Sequence, residues 1–155
     1  VSLGTQGGTI RERKTSDIRS RAERVEAEEN AVLISIHQNT FPQTQYSGAQ
    51  VFYADTPGSQ EFAKLTQEIL RQALNPQNNR QAKEIPDTVY LMNHITCPAI
   101  LVECGFLSNP EEEQLLISDG YQTKIALSLT ASWLAMDQTE GEGMMNIQEE
   151  ALPPT

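Results

Sequence analysis

The chain has 155 residues, with 21 acids against 11 bases and a formal charge of −10. That length supports one domain with a core of its own, and not two. The acidic balance gives no support for nucleic acid as a partner, two cysteines are too few for a disulfide scaffold, and no stretch reads as a signal peptide or a membrane helix.

Residues 1–9, with Gly4, Gly7 and Gly8, read as loop. The next stretch is strongly charged: Arg11, Arg13, Lys14, Arg19, Arg21 and Arg24 are six of the 11 bases. Ser16 or Asp17 is placed to cap a helix running to about Asn30, with Ile18, Ala22 and Val25 as a narrow apolar stripe. The basic cluster reads either as a contact for an anionic polymer or as a solvated helix face with Glu23, Glu26, Glu28 and Glu29 as local partners. The solvated face is preferred.

Val32 to Asn39 follows, a short β-branched apolar run that reads as a buried strand ending in His37. Alternation puts Leu33, Ser35 and His37 on one side, and Val32, Ile34 and Ile36 on the other. His37 thus stands on the rim of a sheet, where α/β proteins gather their ligands. Taken alone, a histidine at a strand end is more often structural than a ligand. Thr40 to Ser47 is a polar loop whose Phe41 and Tyr46 either line a substrate groove or pin the loop to its own domain. Gly48 to Tyr53 reads as a strand. A helix to Leu74 follows, capped by Thr56 or Ser59, with Phe62, Leu65, Ile69 and Ala73 inward.

Asn75 to Thr88 is a polar connection. Arg80 within it offers a contact for a substrate carboxylate, but a single arginine in a loop is more often ordinary surface, and that reading is preferred. Val89 to Met92 reads as a short strand. Pro98 to Asn109 then holds the strongest signal, an aliphatic strand running into Glu103, a glycine turn and a helix start at Pro110. An acid directly after an aliphatic run is partly desolvated, which raises its pKa and suits proton transfer. Glu111, Glu112 and Glu113 suit a helix dipole and are structural. The last helix spans about Tyr121 to Met136, with Tyr121, Ile125, Leu129 and Trp133 inward. Five acids and no base lie beyond it, so residues 137–155 read as an acidic flexible tail.

Three blocks carry a resemblance: Ser35-Ile36-His37-Gln38-Asn39, the Gly48–Tyr53 strand, and Val102-Glu103-Cys104-Gly105-Phe106-Leu107-Ser108-Asn109. Together they resemble the signature of the zinc-dependent N-acetylmuramoyl-L-alanine amidases, from about Arg11 to Trp133. Arg13 to Arg19, Asn79-Arg80-Gln81-Ala82-Lys83 and Thr88 to Met92 make the chain most similar to the germination-specific, spore-cortex members. The resemblance implies peptidoglycan as partner and an extracytoplasmic setting, in cell wall or spore cortex. The implied reaction is cleavage of the amide between N-acetylmuramic acid and L-alanine by zinc-activated water. An activator protein is compatible with this, none being identifiable from the residues.

In the family, zinc is held by His, Glu and His, and a separate Glu is the acid/base. The last ligand corresponds to His37 and the catalytic carboxylate to Glu103. Asn39 and Arg80 are the candidate substrate contacts. The first His and the ligand Glu have no counterpart between Val1 and Arg24. The fold implied is therefore α/β, a twisted mostly parallel sheet with helices on both faces, in an amino-terminally incomplete domain. Residues 1–136 are its carboxyl-terminal part. Such a fragment is expected to bind zinc poorly and to leave an open sheet edge and bare apolar faces. One alternative is a non-catalytic wall-binding remnant, inactive because two zinc ligands are missing. Another, a cysteine hydrolase pairing Cys104 or Cys97 with His94, is disfavoured because alternation turns Cys104 away from Glu103. His94 and Cys97 also form an H-x-x-C, a weak zinc signal.

Overall fold

The first helix starts earlier than its charge pattern suggests. The computed structural model describes residue 4 and residues 7–149, and α1 covers Ile10–Glu26. Its cap is Thr9, and not Ser16 or Asp17. The Glu12 N–H donates to the Thr9 hydroxyl at 3.3 Å, and the Thr9 N–H donates to the Glu12 carboxylate at 2.7 Å. This reciprocal box satisfies two orphan donors. Asp17 instead pairs with Arg21, one turn on, at 2.7 Å. The helix stops short of Asn30, whose φ of 56° is a left-handed conformation that asparagine tolerates.

Among the described residues four strands form one sheet: β1 (Leu33–Asn39), β2 (Gln50–Tyr53), β3 (Lys83–Glu84) and β4 (Ala99–Phe106), in the order β1-β4-β2-β3. β1 is parallel to β4 and β2 to β3, while β2 and β4 are antiparallel, so the sheet is mostly parallel as expected. β4 is central and buried along nearly its whole length, as a strand covered on both faces must be. Its alternation sorts the core. Ile100, Val102 and Cys104 pack with Phe62 and Leu70 of α2 (Ser59–Leu74) and with Ile125 and Leu129 of α4 (Asp119–Glu149). Ala99 and Leu101 point the other way, into a cluster with Ala22 of α1, Ile85, Met92 and Ile95.

The buried stripe of α2 is Phe62, Ala63, Thr66, Gln67 and Leu70, in place of the expected Phe62, Leu65, Ile69 and Ala73. Gln67 is the reason. Its amide accepts from the Val51 N–H at 2.8 Å and donates to the Ala49 carbonyl at 3.1 Å, so a polar residue satisfies the sheet from inside. Neither Thr56 nor Ser59 caps α2; Gly58, at φ 80°, holds the cap position without a side-chain bond. The two hydroxyls serve β4 instead, Thr56 donating to the Cys97 carbonyl and Ser59 accepting from the Ala99 N–H.

The polar connection after α2 contributes β3 and buries Asn78, whose amide donates to the Ala49 carbonyl at 2.8 Å. Asn78 lies so close to Gly48 (φ 93°) that a Cβ there would sit 2.7 Å from its Oδ1. Only glycine fits. The strand expected over Val89–Met92 is replaced by a 3-10 turn at Leu91–Asn93. The Asn93 amide donates to the Pro86 and Val89 carbonyls, which curls this segment away from any sheet.

α3 (Pro110–Leu116) begins as expected, with the Asn109 side chain accepting from the Glu111 and Glu112 N–H groups. On α4, Ile125 and Leu129 are buried, but the stripe then turns to Ser132 and Met136, leaving Trp133 40% exposed. The helix continues past Met136 to Glu149; no proline interrupts before Pro153. The rest of the expected tail, residues 150–155, lies outside the described residues, as do residues 1–3, 5 and 6 of the expected amino-terminal loop. Among the described residues β1 is an edge strand with Ile36 62% exposed. Ile34, Ile36, Leu129 and Trp133 line an apolar groove of about 350 Å³ beside it.

Candidate active site at the ends of β1 and β4

In the parallel register of β1 and β4, His37 stands directly beside Glu103. Register partners share a face, so both side chains belong to the α1 side of the sheet, beyond the layer of Leu33 and Leu101. The Ser35 hydroxyl, two residues back on the same face, lies 2.9 Å from His37 Nε2 and holds the ring. His37 is exposed and Glu103 half-buried. Burial pushes the Glu103 carboxyl above the usual carboxylate range, and the neighbouring His37 draws it partly back. Oε2 of Glu103 is buried with no hydrogen-bond partner among the described residues. A half-buried acid with an unused oxygen is poised to exchange a proton with a molecule that enters the site.

Just beyond this pair the register slips. His37 is opposite Glu103, but Asn39 is opposite Phe106, so β4 carries one extra residue. A bulge of this kind re-aims side chains near a site. Strict alternation would send Phe106 to the face opposite Glu103; the extra residue returns it to the Glu103 face. Gly105 permits this, since a Cβ there would meet Glu112 Oε2 at 3.2 Å and Leu116 Cδ1 at 3.3 Å. The Glu112 carboxylate fixes the result, accepting from the Phe106 N–H at 2.8 Å and the Gly48 N–H at 2.7 Å.

Phe106 then floors a cleft of about 250 Å³ lined by Asn39, Phe41, Tyr46 and Arg80. The two residues expected to contact substrate, Asn39 and Arg80, therefore meet in one depression beside His37 and Glu103. The loop aromatics pin the loop and also line the cleft. Phe41 packs edge-on to Tyr46 at 4.9 Å and Tyr46 lies 6.2 Å from Phe106, pinning the loop, yet both phenyl rings of the loop stay exposed to the cleft. The Asn39 side chain accepts from the Thr40 N–H at 2.8 Å, which sets its orientation.

The other candidates fall away from this centre. His94 stacks on Tyr90 with centroids 3.7 Å apart, and its Nδ1 lies 2.8 Å from the Tyr90 carbonyl. Its role is structural. Cys104 is buried in the opposite core, where burial and then the Glu103 charge push its thiol up to about 11. The Cys97 thiol is also raised, by burial and by Glu26. A catalytic zinc takes three protein ligands and an open position. Among the described residues no three His, Cys, Asp or Glu side chains come together. His37 and Glu103 do not by themselves make a zinc site, and no step through a metal is derived from them.

Nothing in the sequence singles out Ser35, Phe106 or Glu112 for the places they take here. Glu112 was legible only as a helix-dipole acid, and the bulge that turns Phe106 leaves no mark in the residues except Gly105.

Residues 5–132 match the family described as N-acetylmuramoyl-L-alanine amidase. The chain is 42% identical over 127 residues to a germination-specific N-acetylmuramoyl-L-alanine amidase of Bacillus subtilis, a match that covers 81% of this chain and 52% of that protein. The chain thus spans about half the length of this curated relative. Among solved structures, it is similar to the CwlD amidase of Clostridioides difficile, solved in complex with the GerS lipoprotein. The TM-score is 0.85 at 34% identity, over 90% of this chain and 72% of that one. An N-acetylmuramoyl-L-alanine amidase from Clostridium difficile 630 matches with a TM-score of 0.70 at 29% identity, over 78% and 67% of the two chains.

Proposed function

The chain belongs to the N-acetylmuramoyl-L-alanine amidase family, and from that premise we propose that it is the part of a peptidoglycan hydrolase that carries the acid/base carboxylate. The reaction is hydrolysis of the amide between N-acetylmuramic acid and L-alanine, in the cell wall or spore cortex. The observation that carries this reading is the pairing of His37 with Glu103 at one rim of the sheet, with Oε2 of Glu103 buried and unpartnered among the described residues.

Amide hydrolysis needs a base to take a proton from water and an acid to return it to the leaving amine, because an amine anion is a very poor leaving group. Glu103 suits both steps, since its raised pKa brings the neutral form within reach. Zinc, when bound, supplies a water of lowered pKa and polarises the scissile carbonyl. We assign His37 as one of its ligands, with the others coming from polypeptide other than the described residues. Asn39 and Arg80 contact the substrate. The lipoprotein complex of the Clostridioides difficile relative makes a protein partner part of this proposal. Among the described residues no helix is long and apolar enough to cross a membrane.

The alternative is a wall-binding remnant of such a domain that does not turn over. One experiment separates the two. In the full-length protein, zinc-dependent release of L-alanyl peptides from a muramoyl substrate is expected, and it is lost in Glu103→Gln and in His37→Ala. Undiminished release by Glu103→Gln overturns the assigned acid/base. Glycan binding without zinc or turnover establishes the remnant.

A further inference from the structure

Arg80 is held more firmly than a surface arginine needs to be. Its Nε donates to the Ser47 carbonyl at 2.8 Å and its Nη1 to Gln50 Oε1 at 3.0 Å. Its guanidinium carbon lies 4.8 Å from the centre of the Phe106 ring. Gln50 is itself buried and anchored by its own amide on the Gln81 carbonyl at 2.9 Å. Both bonds of Arg80 go to neutral acceptors. Neither of the two ion pairs among the described residues includes it. Among the described residues two of its five N–H donors are used, which leaves three for a ligand, on a cation that is stacked and fixed at the wall of the cleft.

This arrangement fits a carboxylate. A pre-oriented guanidinium takes planar anions in charge-assisted pairs and loses little freedom in doing so. Its position fits a peptide. Gln50 is the register partner of Glu103 across β2 and β4, so guanidinium and acid are separated by one strand spacing of about 5 Å and one glutamine side chain. A few residues of extended peptide, at about 3.3–3.6 Å each, span that gap.

We propose that Arg80 is the receptor for a carboxylate of the stem peptide, so that this cleft selects peptides bearing a free acid near the scissile bond over their amidated counterparts. The proposal rests on the amidase reading for the identity of the peptide, while its readout is binding and not turnover. The Phe106 ring and the Asn39 amide frame the peptide beside the guanidinium.

The test is titration of the 155-residue protein with N-acetyl-L-alanyl-D-glutamate and with its diamide, followed by calorimetry or by chemical-shift changes. The acid is expected to bind about tenfold or more tightly than the diamide. The preference disappears in Arg80→Gln and survives in part in Arg80→Lys, which keeps the charge without the fork. Equal binding of acid and diamide by the wild type overturns the proposal, as does a preference that persists in Arg80→Gln. Should Arg80→Gln fail to fold, a preference undiminished in Arg80→Lys overturns it and a reduced one supports it. Glu103→Gln is expected to keep the acid preference, so that failure of the catalytic reading and failure of this one are told apart.

Discussion

Phe106 and Asn39 are opposite one another across β4 and β1, although regular pairing from His37 and Glu103 onward would set Asn39 against Gly105. That one-residue slip turns an aromatic ring out of the core series of β4 and into the cleft beside the His37–Glu103 pair. The candidate site thus has two parts with different origins. The His37–Glu103 pair comes from strand register, and the cleft beside it comes from a bulge locked by Glu112.

Removing that lock is expected to loosen the cleft before it unfolds the protein. Glu112→Ala leaves two backbone N–H groups, of Gly48 and Phe106, without their acceptor. The cost is about 2 kcal/mol, the range for hydrogen bonds to a charged group. Denaturant titration should show a lowered midpoint with an unchanged slope, and the Phe106 amide should lose hydrogen-exchange protection first. Unchanged protection at Phe106 would contradict the assigned role.

Glu103 is expected to trade stability for function. Its half-buried carboxyl has a raised pKa in the folded protein, with burial as the main cause. The favourable contribution of its neutral form is present at low pH and is lost as pH rises through the raised value. Above that value the folded state carries a charged carboxylate whose buried Oε2 has no partner among the described residues. Glu103→Gln, which stays neutral, should therefore be the more stable protein at pH 7, by about 1 kcal/mol. The gap should close as pH falls below the ordinary carboxylate range. Melting curves at several pH values read this directly, and a destabilised Glu103→Gln at pH 7 contradicts it.

The cysteines should be spectators. With the Cys104 thiol pushed up to about 11 and that of Cys97 raised as well, little thiolate exists at pH 8. Native alkylation by iodoacetamide is expected to be slow, at the half-buried Cys97 first and at the buried Cys104 only after unfolding. Mass spectrometry locates the adducts. Rapid modification of Cys104 in the folded chain would revive a thiol nucleophile.

The β1 edge should govern the solution behaviour of this chain. Among the described residues Ile36 is exposed on an edge strand, beside an apolar groove that includes Trp133. Unpaired edges with apolar neighbours recruit other strands. Ile36→Lys is expected to reduce self-association at high protein concentration with little change in melting temperature. Identical sedimentation profiles for the two proteins would argue against this.

The residues alone determined the strands that carry His37 and Glu103 and the helix that starts at Pro110, although β4 runs on to Phe106 through the glycine read as a turn. Each of these depends on short-range pattern: aliphatic runs, period-2 alternation and a capped helix start. The desolvated acid at Glu103 and the loop arginine at Arg80 were readable from the residues, and the resemblance added zinc ligation by His37 and the acid/base role of Glu103. Only the tertiary structure decided that His37 is in register with Glu103, that Gln67 and Asn78 are buried to complete the backbone of Ala49 and Val51, and that Val89–Met92 curls instead of pairing. It also decided that Trp133 faces outward. Register, bulges and side-chain-to-backbone bonds join residues far apart in the chain, and their energies depend on which partner arrives. A local pattern of apolar and polar residues carries no record of that partner.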